Sequence, residues 1–240
     1  MASRWVTTEQ QRGFALEVGI IMLGVLLALG AEQLFRAFDN RQLAAEARAT
    51  ARAEIARGLT NLALRQRGQP CVAKRLDEIT NLVAASGSGK FTAPTWIGRP
   101  AIGTFDSSGW DSATEAGRSA LLSDSERAAL GAIYSSLRRV DALQLEEQRS
   151  WGQLRQLEGV TQLDPLLRAS VRSEIQQARL LSWYINSVIV QTNAAAARLQ
   201  IKAEPGAEKI MPSVCLPTST PRDAAVKRMN SIWQDELGEP

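Results

Sequence analysis

FALEVGIIMLGVLLALGAEQL, residues 14–34, decides the reading of this chain. The run is 21 residues long and almost wholly apolar. As a helix rising about 1.5 Å per residue it spans roughly 31 Å, the thickness of a bilayer's hydrocarbon core. No other stretch is comparably apolar. The expectation is one N-terminal transmembrane helix, with most of the 240 residues displayed on one side of the membrane.

A cleaved signal peptide is the rival. Arg4 and Arg12 precede the run, and Ala28-Leu29-Gly30 has the small-x-small form of a cleavage site. Against it, the run is longer than a usual signal core, contains Glu17, and continues in helical pattern past that site. A retained anchor is therefore expected. The flank beyond the span carries Arg36, Arg41, Arg48 and Arg52. Counting positive charges would leave the large domain in the cytoplasm, but long domains are translocated largely regardless of charge. The cysteines argue for export. There are two, Cys71 and Cys215, both outside the span, and in an exported domain they most simply pair. The alternatives are two free thiols, or a redox role for a Cys71 activated by a helix N-terminus. The expected location is a bacterial inner membrane, single-pass, with the N-terminus cytoplasmic and the C-terminal domain periplasmic.

The chain has no histidine. That removes the commonest general base and the commonest zinc ligand, so no catalytic residue, metal site or cofactor is assigned, and an enzyme is not expected. The net charge is +3, with acids and bases interspersed, which leaves no nucleic-acid footprint.

Beyond the span the pattern stays helical through alanine, arginine, leucine and glutamate, all strong helix formers. Gly68 and Pro70 predict a stop near residue 66. A second helix is expected over Pro70–Ser86, with Val72, Leu76, Ile79 and Val83 on one face. A long irregular loop rich in glycine, serine and proline follows, then a short helix over Ser112–Leu122. Ser123-x-x-Glu126 is a capping box. It opens a helix reaching Glu158, with Leu130, Ile133, Leu137 and Val140 on its seam. That seam then meets Gln144 and Glu147, read as the place where the helix leaves the bundle for water. The other reading is a polar pocket shared with Arg138, Arg149 or Arg155. Asp164-Pro165 caps another helix reaching Lys202, with an apolar seam from Leu167 to Leu199. A last amphipathic helix is expected over Asp223–Leu237, with Val226, Met229, Ile232 and Trp233 on one side. The predicted fold is all-α: a transmembrane helix continuing into a stalk, then an antiparallel helical bundle with one long irregular loop. The divisions are 1–13 tail, 14–34 span, 35–203 bundle and 204–240 C-terminal loop and helix.

Two stretches carry a resemblance. The first is Glu17, Ile20, Ile21 and Leu23 through Leu29, of the form E-x-x-I-I-x-L-G-V-L-L-A-L. The second runs Trp110-Asp111-Ser112-Ala113 to Gly117, then Leu121-Leu122-Ser123 and Ile133-Tyr134. In these the chain resembles a group of uncharacterised bacterial single-span membrane proteins in which such an anchor precedes an all-helical domain. The resemblance implies the layout and no activity.

Two candidate contact regions stand out. Glu17, Ile21, Gly24, Ala28 and Glu32 share one face of the span, with Gly24-x-x-x-Ala28 as a small-residue motif, and suggest a helix–helix interface. The plainer reading is that both glutamates snorkel to the headgroups. Trp96, Arg99, Phe105 and Trp110 in the long loop form a candidate binding surface, or aromatics that pin the loop to the helices. The expected function is a periplasmic scaffold or accessory subunit of a membrane complex acting through protein–protein contacts. The alternative is a small-ligand-binding or sensor module working through a partner. The expected partners are the membrane and either another protein or further copies of the chain, not nucleic acid.

Overall fold

The computed structural model describes residues 8–88, 91–205 and 212–228, and every regular element among them is helical. The principal elements are α1 (Thr8–Ala85), α2 (Ser108–Glu115), α3 (Asp124–Leu154) and α4 (Pro165–Arg198). Among the described residues α1 is the one helix long and apolar enough to cross a membrane. Its side chains are exposed from Leu16 through Gln42, and burial begins at Ala44.

α1 is a single helix of 78 residues that carries Pro70 inside it, so the predicted stop near residue 66 is wrong. Neither supposed breaker ends the helix. Gly68 is buried, and a Cβ on it would come within 2.9 Å of the Pro212 ring, so the glycine makes room for the C-terminal segment. Pro70 faces solvent, where the helix tolerates one missing N–H. Replacing Pro70 by alanine restores that donor and should raise stability by about 1–3 kcal/mol, read as a higher urea midpoint of the detergent-solubilised chain.

Cross-helix pairs give the directions of the helices. Arg48 pairs with Glu126, Glu54 with Tyr134 and Arg65 with Glu147, so α1 and α3 run the same way. Arg52 reaches the Gln200 carbonyl, Gln69 meets Ser182 and Arg179 meets Asp77, so α4 runs opposite to α1. The expected antiparallel order therefore holds for α4 and not for α1 against α3.

The long connection makes the parallel pair. It leaves the far end of α1 and returns along it. The Trp96 and Ile97 carbonyls meet Arg75, the Gly103 backbone lies against Asn61, and the Gly109 N–H meets Glu54. From Arg75 back to Glu54 is about 32 Å along the helix axis. The 13 residues from Trp96 to Gly109 would cover about 20 Å as a helix but about 43 Å when extended. The return must be extended, in keeping with Pro100 and the β-branched Ile97, Ile102 and Thr104. At Gly103 a Cβ would fall 2.4 Å from that of Asn61, so only glycine allows the approach.

The helix starts follow local chemistry. Ser123 Oγ accepts from the Glu126 N–H at 3.3 Å, and Asp164 Oδ1 accepts from the Leu167 N–H at 2.8 Å. Glu126 gives its carboxylate to Arg48, at 2.5 and 2.9 Å, instead of completing the capping box. That contact holds the Glu126 carboxyl below its ordinary value. The short helix precedes its predicted place, and a 3-10 turn takes Arg118–Leu121. Residues 222–228 are helical, with Ala225 buried and Val226 exposed. Met229, Ile232 and Trp233 lie outside the described residues.

Two apolar clusters stack along α1. One joins Ala51, Ile55, Leu59 and Leu62 to Ile133, Leu137, Ile185 and Val188. The other joins Val72, Leu76, Ile79 and Val83 to Trp151, Leu154, Val171 and Ile175. Cys71 and Cys215 are disulfide-bonded, with S–S 2.07 Å and Cα atoms 4.9 Å apart. Cys71 lies within α1, not at a helix start, so the dipole argument for its reactivity lapses. One turn on, buried Arg75 donates to the Trp96, Ile97 and Leu216 carbonyls and pairs with Glu78 at 2.9 Å. It thus ties α1, the returning segment and the C-terminal segment together.

Candidate functional site

A buried polar layer separates the two clusters. Arg65 Nη2 donates to Glu147 Oε1 at 2.7 Å and to Ser182 Oγ at 3.2 Å, and Arg65 Nη1 donates to Gln69 at 3.1 Å. Both charged side chains are at most 3 % exposed. Burial pushes the Glu147 carboxyl above its ordinary value despite Arg65, and it lowers the Arg65 guanidinium likewise. Desolvation thus outweighs attraction for both partners. Arg65 Nε is buried without a hydrogen-bond partner among the described residues. The reading of Gln144 and Glu147 as the water-facing end of the bundle is wrong. Both are buried, Gln144 accepting from the Gly103 N–H at 3.1 Å. The partner of Glu147 is Arg65, not Arg138, Arg149 or Arg155.

Glu54 is the second buried acid. Its carboxylate accepts from the Gly109 and Trp110 N–H groups at 2.7 and 3.1 Å and from the Tyr134 hydroxyl at 2.7 Å. The first two belong to the opening turn of α2, whose N-cap residue Ser107 makes no side-chain cap. A carboxylate there satisfies orphan donors and complements the helix dipole. Burial and Glu54 push the Tyr134 hydroxyl upward, which keeps it protonated as a donor. Glu54→Gln sets an amide N–H against those donors and should cost about 2 kcal/mol, against about 1 for Tyr134→Phe. Urea denaturation measures both.

The loop residues are not brought together. Trp96 is buried with Leu216 and Ala225, and its indole N–H donates to the Ser213 carbonyl at 3.0 Å. Arg99 is exposed, its backbone engaging Ser213 and Val214. Phe105 packs on Tyr134, ring centroids 5.4 Å apart, and Trp110 stacks on the same ring at 5.1 Å. The indoles sit at the two ends of the returning segment, turned inward. In the apolar N-terminal part of α1, Glu17, Ile21, Gly24, Ala28 and Glu32 are exposed, and Glu32 pairs with Arg36 one turn on. A Cβ on Gly24 would meet nothing within 4 Å.

The sequence reading missed the outer face of α4. Leu181, Ser182, Ile185, Val188, Ile189, Thr192 and Ala196 point inward. Leu180, Trp183, Tyr184 and Val190 are exposed, Trp183 by 61 %. The signal was present: residues 180–197, LLSWYINSVIVQTNAAAA, contain no charge. In a chain that is 22 % charged, a stretch of that length would carry about four. Beside this face, Gln69, Val72, Ala73, Asp77, Ser182 and Trp183 line an open groove of about 200 Å³. A polar groove of about 360 Å³ lies between α3 and α4 over Glu146, Arg149 and Glu174. No protein-family model, curated protein or solved structure matches the chain, so any function must be argued from these surfaces.

Proposed function

We propose that the chain is a membrane-anchored helical scaffold or accessory subunit, held by one span in a bacterial inner membrane and acting in the periplasm through protein–protein contacts. The observation that carries this reading is the exposed, charge-free face of α4 with Leu180, Trp183, Tyr184 and Val190. Charge depletion with exposed aromatics marks the centre of protein interfaces. In this reading residues 35–43 of α1 are a stalk and the packed helices are the displayed bundle. The Cys71–Cys215 bond supports an oxidising compartment, against the arginine count of the flanks.

Purification of the intact chain in mild detergent, read by mass spectrometry, tests the reading. The expected result is a stoichiometric polypeptide partner, identical or different. A stoichiometric small molecule with no protein partner would overturn it in favour of a ligand-binding module. Within the span, Gly24→Leu should weaken association by holding backbones apart, whereas Gly19→Leu, on the order of 140° away around the helix, should not. Equal complex yields from the two would remove the anchor face from the account.

A further inference from the structure

We propose that the outer face of α4 pairs with the same face of a second copy of this chain, parallel and in register, about a two-fold axis along the membrane normal. The inference rests on the docking reading above and names the occupant.

Charge points to a second copy. In a parallel two-fold pair each seam residue meets its own copy or a neighbour one turn away. A charge anywhere on the seam would face its like, so such a pair needs a neutral seam. Leu180, Trp183, Tyr184, Val190, Gln191 and Ala194 provide one, which ends where exposed Arg198 closes α4 on the same line. A different protein partner would more usually be selected by complementary charge, and this face offers none. The nearest cation on the α1 side, Arg179, is drawn off the face by Asp77 at 2.6 Å and Thr80 at 3.2 Å.

The direction of α4 fits the same pairing. α1 runs unbroken from the span into the fold, and α4 is fixed against it in the opposite sense. Two copies anchored in one membrane therefore present their α4 faces pointing the same way and at the same height. The Gln69–Ser182 hydrogen bond fixes that height. Gln69 is 35 residues past Leu34, about 52 Å along α1. Lipid cannot cover a face held that far out.

The area suits a pair held in one membrane. An 18-residue helical seam is about 27 Å long and about 10 Å wide. That offers a few hundred Å² per copy, below the roughly 800 Å² per partner of a stable soluble complex. Confinement to one membrane raises the effective concentration and makes up the difference. Trp183 and Tyr184, in edge contact with centroids 4.9 Å apart, are the large anchors of the seam.

The experiment is cross-linking of the full chain in native membranes with a short bismaleimide, using Gln191→Cys on the seam and Ser135→Cys on exposed α3 as control. Cys71 and Cys215 are bonded to each other and do not compete. The expected result is a homodimer from Q191C, little from S135C, and about a tenfold lower dimer yield when Trp183→Ala is added to Q191C. Trp183 is solvent-facing, so that variant keeps its fold. Equal dimer yields at both positions would overturn the seam. Q191C joined to a different polypeptide and never to itself would overturn the second copy while leaving the docking reading intact. No Q191C adduct of any kind would overturn the second copy, and the absence of any polypeptide partner in the detergent purification would overturn the docking reading as well.

Discussion

Arg65→Met and Glu147→Leu should each destabilise the chain by about 3–5 kcal/mol, and the double variant should recover wild-type stability or exceed it. Each single change leaves an unpaired charge in a layer where both partners are at most 3 % exposed. The double change removes both desolvation costs and joins the apolar clusters above and below. The pH dependence has a definite sign. The folded state holds Glu147's carboxyl above its unfolded value, so its proton binding adds stability at low pH. That contribution is lost as pH rises through the folded value. The advantage of the double variant should be greatest at neutral pH and shrink on acidification. Urea midpoints of the four proteins at neutral and acid pH complete the cycle. An additive double variant would mean that the two groups do not act as a pair.

The second large effect concerns the Cys71–Cys215 bond, which closes a sequence separation of 144 residues. Replacing both cysteines by serine should lower stability by about 2–5 kcal/mol, since the unfolded chain regains the freedom the link removes. The loss should be local first. Residues 212–220 lie over Gly68, Arg75 and Trp96, and the bond is their one covalent tie to α1. Hydrogen exchange should therefore rise at Val214 and Leu216, whose N–H groups are bonded to the Arg99 and Ser213 carbonyls. Exchange there should rise more than in α3. Unchanged protection at Val214 would show that Arg75 and Pro212 hold the segment without the bond.

What could be read from the sequence was local. Ser123 and Asp164-Pro165 announce helix starts because a side-chain oxygen caps the N–H three residues on, and both caps are made. Leu130, Ile133, Leu137 and Val140 are buried as their spacing predicts. What failed was decided by residues far away in the chain. Gly68 looks like a terminator until Pro212 is seen lying on it. Glu147 looks solvent-bound until Arg65, 82 positions earlier, is placed beside it. The aromatics of the returning segment read either as a binding surface or as pins, and Trp96, Phe105 and Trp110 are packed inward as pins. The segment's form follows from the need to cover about 32 Å with few residues. The α4 face is harder to read for a different reason: its mark is an absence of charge over residues 180–197, on the side opposite a strongly periodic buried seam.

The central claim is that α1 carries this fold out from a membrane span. Carbonate extraction of membranes containing the full chain, followed by intact-mass analysis of the pellet, tests it most directly. The expected result is a protein retained in the pellet with a mass that includes residues 14–34. Release into the supernatant, or a mass beginning after Gly30, would contradict it.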